Sequence, residues 1–407
     1  MPRRRLGCRF EEAGKTQRHQ DNGEADFPFV IFHVALGRRP GFECYGKRLI
    51  SQTIRTKVDL RALKSHFKRP PPTKRSIVPV TMSESKLPNL SELQAAQELI
   101  SRYMPATPQF RWPSLSREAG CELWIKHENH TPTGSFKMRG GLVYLDWLRR
   151  EHPEVTGVVT ATRGNHGQSI AFAAGQLGLK AVIVVPHGNS REKNEAMRSL
   201  GAEVIEHGQT FHDADHHAEQ LSAERGLFRV SAFDPLLVAG VGTYGLELFS
   251  AVPDLDAVYI AIGWGSGACG LAAARNALGL KTKIIGVVSA QAPSYARSIE
   301  QGKIVEIPPQ TRIADGAAIA YPHPGAFELV RDQIGRIVEV DDAAIEAAMR
   351  TYFRCTHNVA EGAGAASLAA VLQEPDAVNG KKVAAILTGG NVDTEIYARV
   401  LAERSVG

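Results

Sequence analysis

The chain has 407 residues, 43% of them apolar and 7% aromatic, with a formal net charge of +5. This is enough chain for two domains of ordinary soluble composition, and it excludes a fibre. A membrane span is also excluded, because no apolar run reaches the roughly 18 residues a bilayer demands; the run from Phe27 to Leu36 stops at Gly-Arg-Arg-Pro.

Residues 1–81 hold 18 Lys and Arg against 7 Asp and Glu, so they carry +11 while the remaining 326 residues carry −6. Scattered arginines, the triplet Pro70 to Pro72 and the absence of any sustained period predict a basic, poorly ordered extension. Three readings compete for it. A nucleic-acid arm calls for clustered charge and interleaved aromatics, and a mitochondrial transit peptide for few acids and many serines. The third is a start at Met82, where "MSESKLPNLSELQAAQELI" opens a capped helix. Dispersed charge and seven acids weigh against the first two, so no nucleic-acid partner is expected.

From about Ser91 the chain alternates β-branched apolar runs with helical stretches. Strands are predicted at 122–128, 157–162, 181–186, 202–207, 257–263, 283–289 and 383–390, with helices such as 167–178 and 341–357 between them. Continuous apolar strands separated by helices predict an α/β fold, its mostly parallel sheet covered on both faces. In such sheets ligands sit beyond the carboxyl ends of the strands. Five cysteines, Cys8, Cys44, Cys121, Cys269 and Cys355, show no paired spacing, which predicts a reduced, cytoplasmic protein.

Three strand-end loops stand out. "TRGNHGQS", Thr162 to Ser169, precedes an apolar helix, so its backbone N–H groups offer a seat for a carboxylate or phosphate; an Asn/Gly helix cap is the plain alternative. "GWGSGACG", Gly263 to Gly270, lets the backbone wrap a phosphate, and it falls too late in the chain for a dinucleotide fingerprint. "LTGGN", Leu387 to Asn391, sets the Thr388 hydroxyl at a strand end. Upstream, Lys137 in "HENHTPTGSFKMRGG" stands between Phe136 and Met138, where a lone lysine would ordinarily snorkel to water.

Taken in order, "PTGSFKMRGG", "TRGNHGQS", "AGVGTYGLEL", "GWGSGACG", "ADGAA", "EGAGAASLAA" and "LTGGN" resemble the fold type II pyridoxal-phosphate enzymes, specifically the serine/threonine dehydratase and serine racemase group, over about residues 92–400. The resemblance implies a tryptophan synthase β-like fold: two parallel-sheet α/β domains with pyridoxal 5′-phosphate in the cleft between them. Residues 82–150 with 235–404 would form the large domain and 151–234 the small one. By the same resemblance Lys137 forms the Schiff base with the cofactor aldehyde, Phe136 packs beside it, and Asn165 meets the phenolic oxygen. Gly263, Trp264, Gly265, Ser266 and Gly267 are implied around the 5′-phosphate, Thr388 against the pyridine nitrogen, and Thr162, Asn165 and His166 at the substrate carboxylate. A hydroxyl is too weak an acid to keep that nitrogen protonated, which favours β-elimination over transamination. The implied activity is that of a threonine/serine ammonia-lyase, in which a β-hydroxy L-amino acid loses water and yields a 2-oxo acid and ammonia. A homodimer or homotetramer is implied as well.

Some positions depart from the family. Arg163 replaces the serine that acts as an acid in the racemase, and a guanidinium does not deprotonate in that role. Racemisation is therefore disfavoured, and Arg163 is read either as a receptor for a polar or anionic substrate group or as a surface arginine paired with an acid. Val288 and Ser294 stand where metal-dependent members carry carboxylates, so no metal is expected. His212 and His216, one turn apart, read as a solvated face rather than a zinc site. Tyr321 and His323 are candidates for side-chain selection, or parts of a plain Pro-rich loop. The alternative function is β-replacement of the cysteine synthase kind, whose second loop is usually built around "SGNTG". The chain ends shortly after "LTGGN", which leads to the expectation of an unregulated, catabolic form.

Overall fold

Asn89 starts the first described helix, Leu90–Ile100, through a capping box: its side chain accepts from the Glu92 N–H, and Glu92 reaches back to the Asn89 N–H. The computed structural model describes residues 86–402; the extension 1–81, Met82, Cys8 and Cys44 lie outside the described residues.

Ten strands follow in chain order: β1 Gln109–Arg111, β2 Glu122–His127, β3 Gly157–Ala161, β4 Lys180–Val185, β5 Glu203–Glu206, β6 Phe228–Arg229, β7 Ala257–Ala261, β8 Lys283–Ser289, β9 Arg336–Val340 and β10 Lys382–Leu387. They form a six-stranded sheet of order β1-β2-β10-β7-β8-β9 and a four-stranded sheet of order β5-β4-β3-β6. Every pairing is parallel except β1 with β2. The α/β class expected from the sequence is therefore the class observed.

Alternation along the central strands explains how the larger sheet is covered. Val258, Ile260, Ala384 and Ile386 enter one apolar core, while Ala257, Tyr259, Ala385 and Leu387 enter another on the opposite face. Each face is roofed by helices, so both strand faces are apolar and the sequence shows no period of two. A third core, with Ile170, Ile183 and Met197, lies against the four-stranded sheet.

All seven expected strands are present, mostly ending one or two residues early. β3 stops at Ala161 and β7 at Ala261, which leaves Thr162 and Gly263 in loops. Three strands had no sequence counterpart. β1 and β6 span three and two residues, below the length at which a period can be read. β9, "RIVEV", carries charge at two of five positions and lies at a sheet edge.

Candidate active site

The carboxyl ends of β3, β7 and β10 converge on a cleft of about 830 Å³. All twelve residues that the sequence placed at the cofactor and the substrate head group line it: Phe136 and Lys137; Thr162, Arg163, Asn165 and His166; Gly263 to Gly267; and Thr388. Of the two candidates for side-chain selection, Tyr321 lines it and His323 stands behind the lining.

Lys137 is the first residue of the helix Lys137–Glu151, and its place is fixed from three sides. Thr131 Oγ1 donates to the Ser135 carbonyl at 2.8 Å and accepts from the Ser135 N–H at 2.9 Å, closing the Pro-Thr-Gly-Ser turn. The Phe136 N–H donates to the Thr388 carbonyl at 3.1 Å, which ties the turn to the end of β10. Ser169 Oγ donates to the Lys137 carbonyl at 2.6 Å. The lysine stem then runs into the cleft, with Nζ 3.0 Å from Ser266 Oγ and 5.0 Å from the Phe136 ring centre. Burial strips water from the ammonium, and the Lys137 pKa falls to about 8. Snorkelling to bulk water is thus not what this lysine does.

Opposite it the loop after β7 enters the helix Ser266–Ala277. Gly265 caps that helix at φ +98°, a conformation that favours glycine. Gly263 packs so close to the next segment that a Cβ there would lie 2.6 Å from the Gly316 carbonyl oxygen. The first N–H groups of this helix have no intrahelical acceptor and form its positive end. A desolvated primary amine, a glycine-walled helix start within reach of it and the buried Thr388 hydroxyl together fit pyridoxal 5′-phosphate: an amine for the aldehyde, backbone donors for the phosphate, a neutral hydroxyl for the ring nitrogen.

On the third side Thr162 Oγ1 accepts the N–H groups of Gly164 at 2.9 Å and Gly167 at 3.3 Å, shaping the start of the helix Asn165–Leu177. His166 is buried, with Nε2 3.1 Å from Thr160 Oγ1; burial, then the nearby Lys137 charge, push its pKa down to about 3, so the ring is neutral. Arg163 is half-buried at the cleft wall, and no hydrogen-bond or ion-pair partner meets its guanidinium among the described residues. The surface ion pair that the sequence also allowed is not formed there.

Asn165 leads to residues the sequence reading did not assign. Its Nδ2 donates to Glu361 Oε1 at 2.5 Å, and its Oδ1 accepts at 2.8 Å from Asn391 Nδ2, which also donates to the Thr133 carbonyl at 2.8 Å. The other Glu361 oxygen accepts from Lys193 Nζ at 3.1 Å, and Lys193 donates to Asp315 Oδ2 at 2.7 Å. Burial alone would lower the Lys193 ammonium, but the two carboxylates outweigh it and hold the group charged. Glu361 and Asn391 stood in quoted motifs and could have been found there. Lys193, in the polar stretch "REKNEAMRS", gave no signal.

Val288 is a core residue, and buried Ser294 donates to the Ile319 carbonyl at 3.1 Å. His212 lines the cleft, while exposed His216 lies 3.8 Å from Glu219; among the described residues no three His, Cys, Asp or Glu side chains group as metal ligands.

With this geometry established, likeness to known proteins becomes informative. The chain is 35% identical over 315 residues to an L-threonine ammonia-lyase of Geobacter sulfurreducens, covering 77% of this chain and 78% of that protein. It is 33% identical over 317 residues to an L-threo-3-hydroxyaspartate ammonia-lyase of a Pseudomonas species, covering 78% and 99%. The crystal structure of a threonine deaminase from T.th. superposes with a TM-score of 0.70 at 35% identity, covering 75% of this chain and 99% of that one. Residues 100–389 match the family described as pyridoxal-phosphate dependent enzyme, a span that runs from the first described helix to the loop after β10 and includes every segment of the cleft described above. This chain belongs to that family of pyridoxal-phosphate-dependent enzymes.

Proposed function

We propose that this chain is an ammonia-lyase that removes water from β-hydroxy L-amino acids of the threonine and serine kind and releases a 2-oxo acid and ammonia. The observation that carries the reading is the Lys137 amine, desolvated and 3.0 Å from Ser266 at the mouth of a glycine-walled helix start. The reactions named for the relatives above support it. When bound, pyridoxal 5′-phosphate supplies the aldehyde that exchanges amines and a ring that takes up the charge left by the departing Cα proton.

The protein's own groups do the rest. The Lys137 amine would take the Cα proton; with its pKa at about 8, roughly a fifth of it is neutral at about pH 7.4, against about one part in a thousand for an ordinary lysine. Asn165 is held between Glu361 and Asn391, so its amide meets the cofactor in one orientation. Thr388, buried in the cleft, would stand as a neutral partner for the ring nitrogen, which suits elimination. Thr162, Asn165 and His166 receive the substrate carboxylate at a helix start, and Arg163 adds a positive charge beside it. Gly263, Trp264, Gly265, Ser266 and Gly267 would hold the phosphate, with Phe136 packed beside Lys137. A guanidinium at position 163 does not give up a proton near neutral pH and so serves the second face of the substrate poorly as acid or base, which argues against racemisation.

On this reading residues 151–234, which carry the four-stranded sheet, act as the small domain, and the segments before and after them as the large one. A cytoplasmic homo-oligomer completes the proposal; the cytoplasmic part is supported by three free thiols among the described residues, Cys121, Cys269 and Cys355.

The test is release of 2-oxo acid and ammonia from serine, threonine and 3-hydroxyaspartate by the parent protein and by Lys137→Ala. Turnover in the parent that disappears in the variant is expected. A parent that binds the cofactor through Lys137 yet leaves every β-hydroxy acid intact would sink elimination, and β-replacement by a thiol would be tried next.

A further inference from the structure

Beyond the groups that chemistry requires, the cleft has a wall of aromatic rings drawn from three separate segments. Phe211 begins the helix Phe211–Arg225, Trp264 stands in the loop after β7, and Tyr321 comes from the segment before the helix Pro324–Gln333. All three line the same cleft as Lys137. Their rings pack on one another: Phe211 and Trp264 have centroids 5.5 Å apart, Trp264 and Tyr321 6.1 Å apart at 88°, and Trp264 and His323 6.2 Å apart at 69°. His323 in turn lies against Phe233 at 5.0 Å, which anchors the group in the core. The contacts of Trp264 with Tyr321 and His323 are edge-to-face and the other two are tilted, and together they make a stiff apolar surface rather than a flexible lid. Trp264 and Phe211 are half-buried, and Tyr321, at 36% exposure, sits at the mouth.

The hydrogen or methyl on the β-carbon of serine or threonine is too small to cover such a surface. It would leave the accessible parts of Phe211, Trp264 and Tyr321 in the cleft uncovered. An aryl group on the same carbon would cover them, and burying apolar surface of that size strengthens binding about 10- to 100-fold. We propose that the site is built for β-hydroxy amino acids bearing an aryl β-substituent, seated against Trp264 and Phe211 and entering past Tyr321. This rests on the elimination reading above and narrows its substrate class. The chemistry balances without an oxidant: the Cα–H and Cβ–O bonds break, one water leaves, the resulting enamine takes up one water, and a 3-aryl-2-oxo acid and ammonia are the products.

The test compares kcat/KM of the holoenzyme for 3-phenylserine, serine, threonine and 3-hydroxyaspartate. A preference for 3-phenylserine of about tenfold or more over serine and threonine, expressed mainly in KM, is expected. Phe211→Ala and Trp264→Leu should each reduce the ratio of 3-phenylserine to serine kcat/KM by about tenfold, with bound cofactor checked by its visible absorbance. Phe211 lies outside the phosphate loop, so its variant keeps the question open to test if Trp264→Leu loses the cofactor. A binding readout accompanies the kinetics. L-phenylalanine, which has no leaving group, should change the tryptophan fluorescence of the holoenzyme saturably, L-alanine should not, and the response should be absent in Trp264→Leu. A kcat/KM for serine or threonine equal to or above that for 3-phenylserine would overturn the aryl assignment while leaving elimination intact. The highest kcat/KM on 3-hydroxyaspartate would overturn it in favour of a second anion at Arg163. No turnover of any of the four would overturn both readings together.

Discussion

Lys137 shows how one side chain becomes a reagent through its surroundings alone. No carboxylate is set against it, so desolvation acts unopposed and lowers its pKa to about 8. Only the neutral amine attacks an aldehyde. The rate at which cofactor-free protein takes up pyridoxal phosphate should therefore rise with pH up to about 8 and level off above it, as followed by absorbance after rapid mixing. A rate still climbing tenfold per pH unit between 9 and 10 would show an ordinary lysine, charged until roughly pH 10.4. Lys137 was legible because the ordered motifs around it resemble a known family; the lysine between Phe136 and Met138 alone reads as one that snorkels to water. Glu361 and Lys193 were less so: their pairing joins positions 168 residues apart, and such a contact leaves no local period to read.

At the scale of elements, the helix Lys137–Glu151 is clamped by a buried ionic network that the sequence motifs only hint at. Arg139, two residues beyond Lys137, donates to Glu128 Oε2 at 2.7 Å and to Glu247 Oε1 at 2.7 Å, while Lys126 Nζ meets Glu247 Oε2 at 2.6 Å. The cluster joins β2, the turn after it, this helix and the helix Pro235–Ala251. Burial opposes the Arg139 charge, but the two carboxylates outweigh it and hold the guanidinium protonated. Two cations and two anions balance, so each removal leaves a charge uncompensated. Arg139→Met should destabilise the fold by about 3–5 kcal/mol in urea unfolding, because Glu128 and Glu247 would stay buried with Lys126 alone. A loss under about 1 kcal/mol would mean that water or repacking replaces the guanidinium and that the network does not hold the helix. Strand elements followed a similar rule of legibility. Buried strands such as β7 and β8 announced themselves as apolar runs, whereas β1, β6 and β9 are short or half-exposed and owe their pairing to neighbours rather than to their own pattern.

At the scale of the whole catalytic body, the two sheets meet at the cleft, and Lys193 is one of the few charged bridges between their layers. It rises from the helix Arg191–Ser199, which follows β4 of the four-stranded sheet, and reaches Asp315 and Glu361, which flank segments of the six-stranded one. Ser190 at that helix start also donates to Asp393, and Glu192 accepts the Thr394 N–H at 2.8 Å, so the same face is stitched at its rim. Replacing Lys193 with methionine removes the cation while filling much of its volume. Glu361 would then sit buried with only the Asn165 amide, and burial, which already pushes its carboxyl up, would raise it further. The sign follows from proton binding. With a folded-state pKa above the unfolded value near 4.3, the folded variant holds a proton that the unfolded chain releases, so stability falls as pH rises through that window. The Tm deficit of Lys193→Met relative to the parent should therefore be small at pH 5 and clearly larger at pH 8. An equal deficit at both pH values would mean that Glu361 finds another cation or water, and that the bridge serves contact rather than charge.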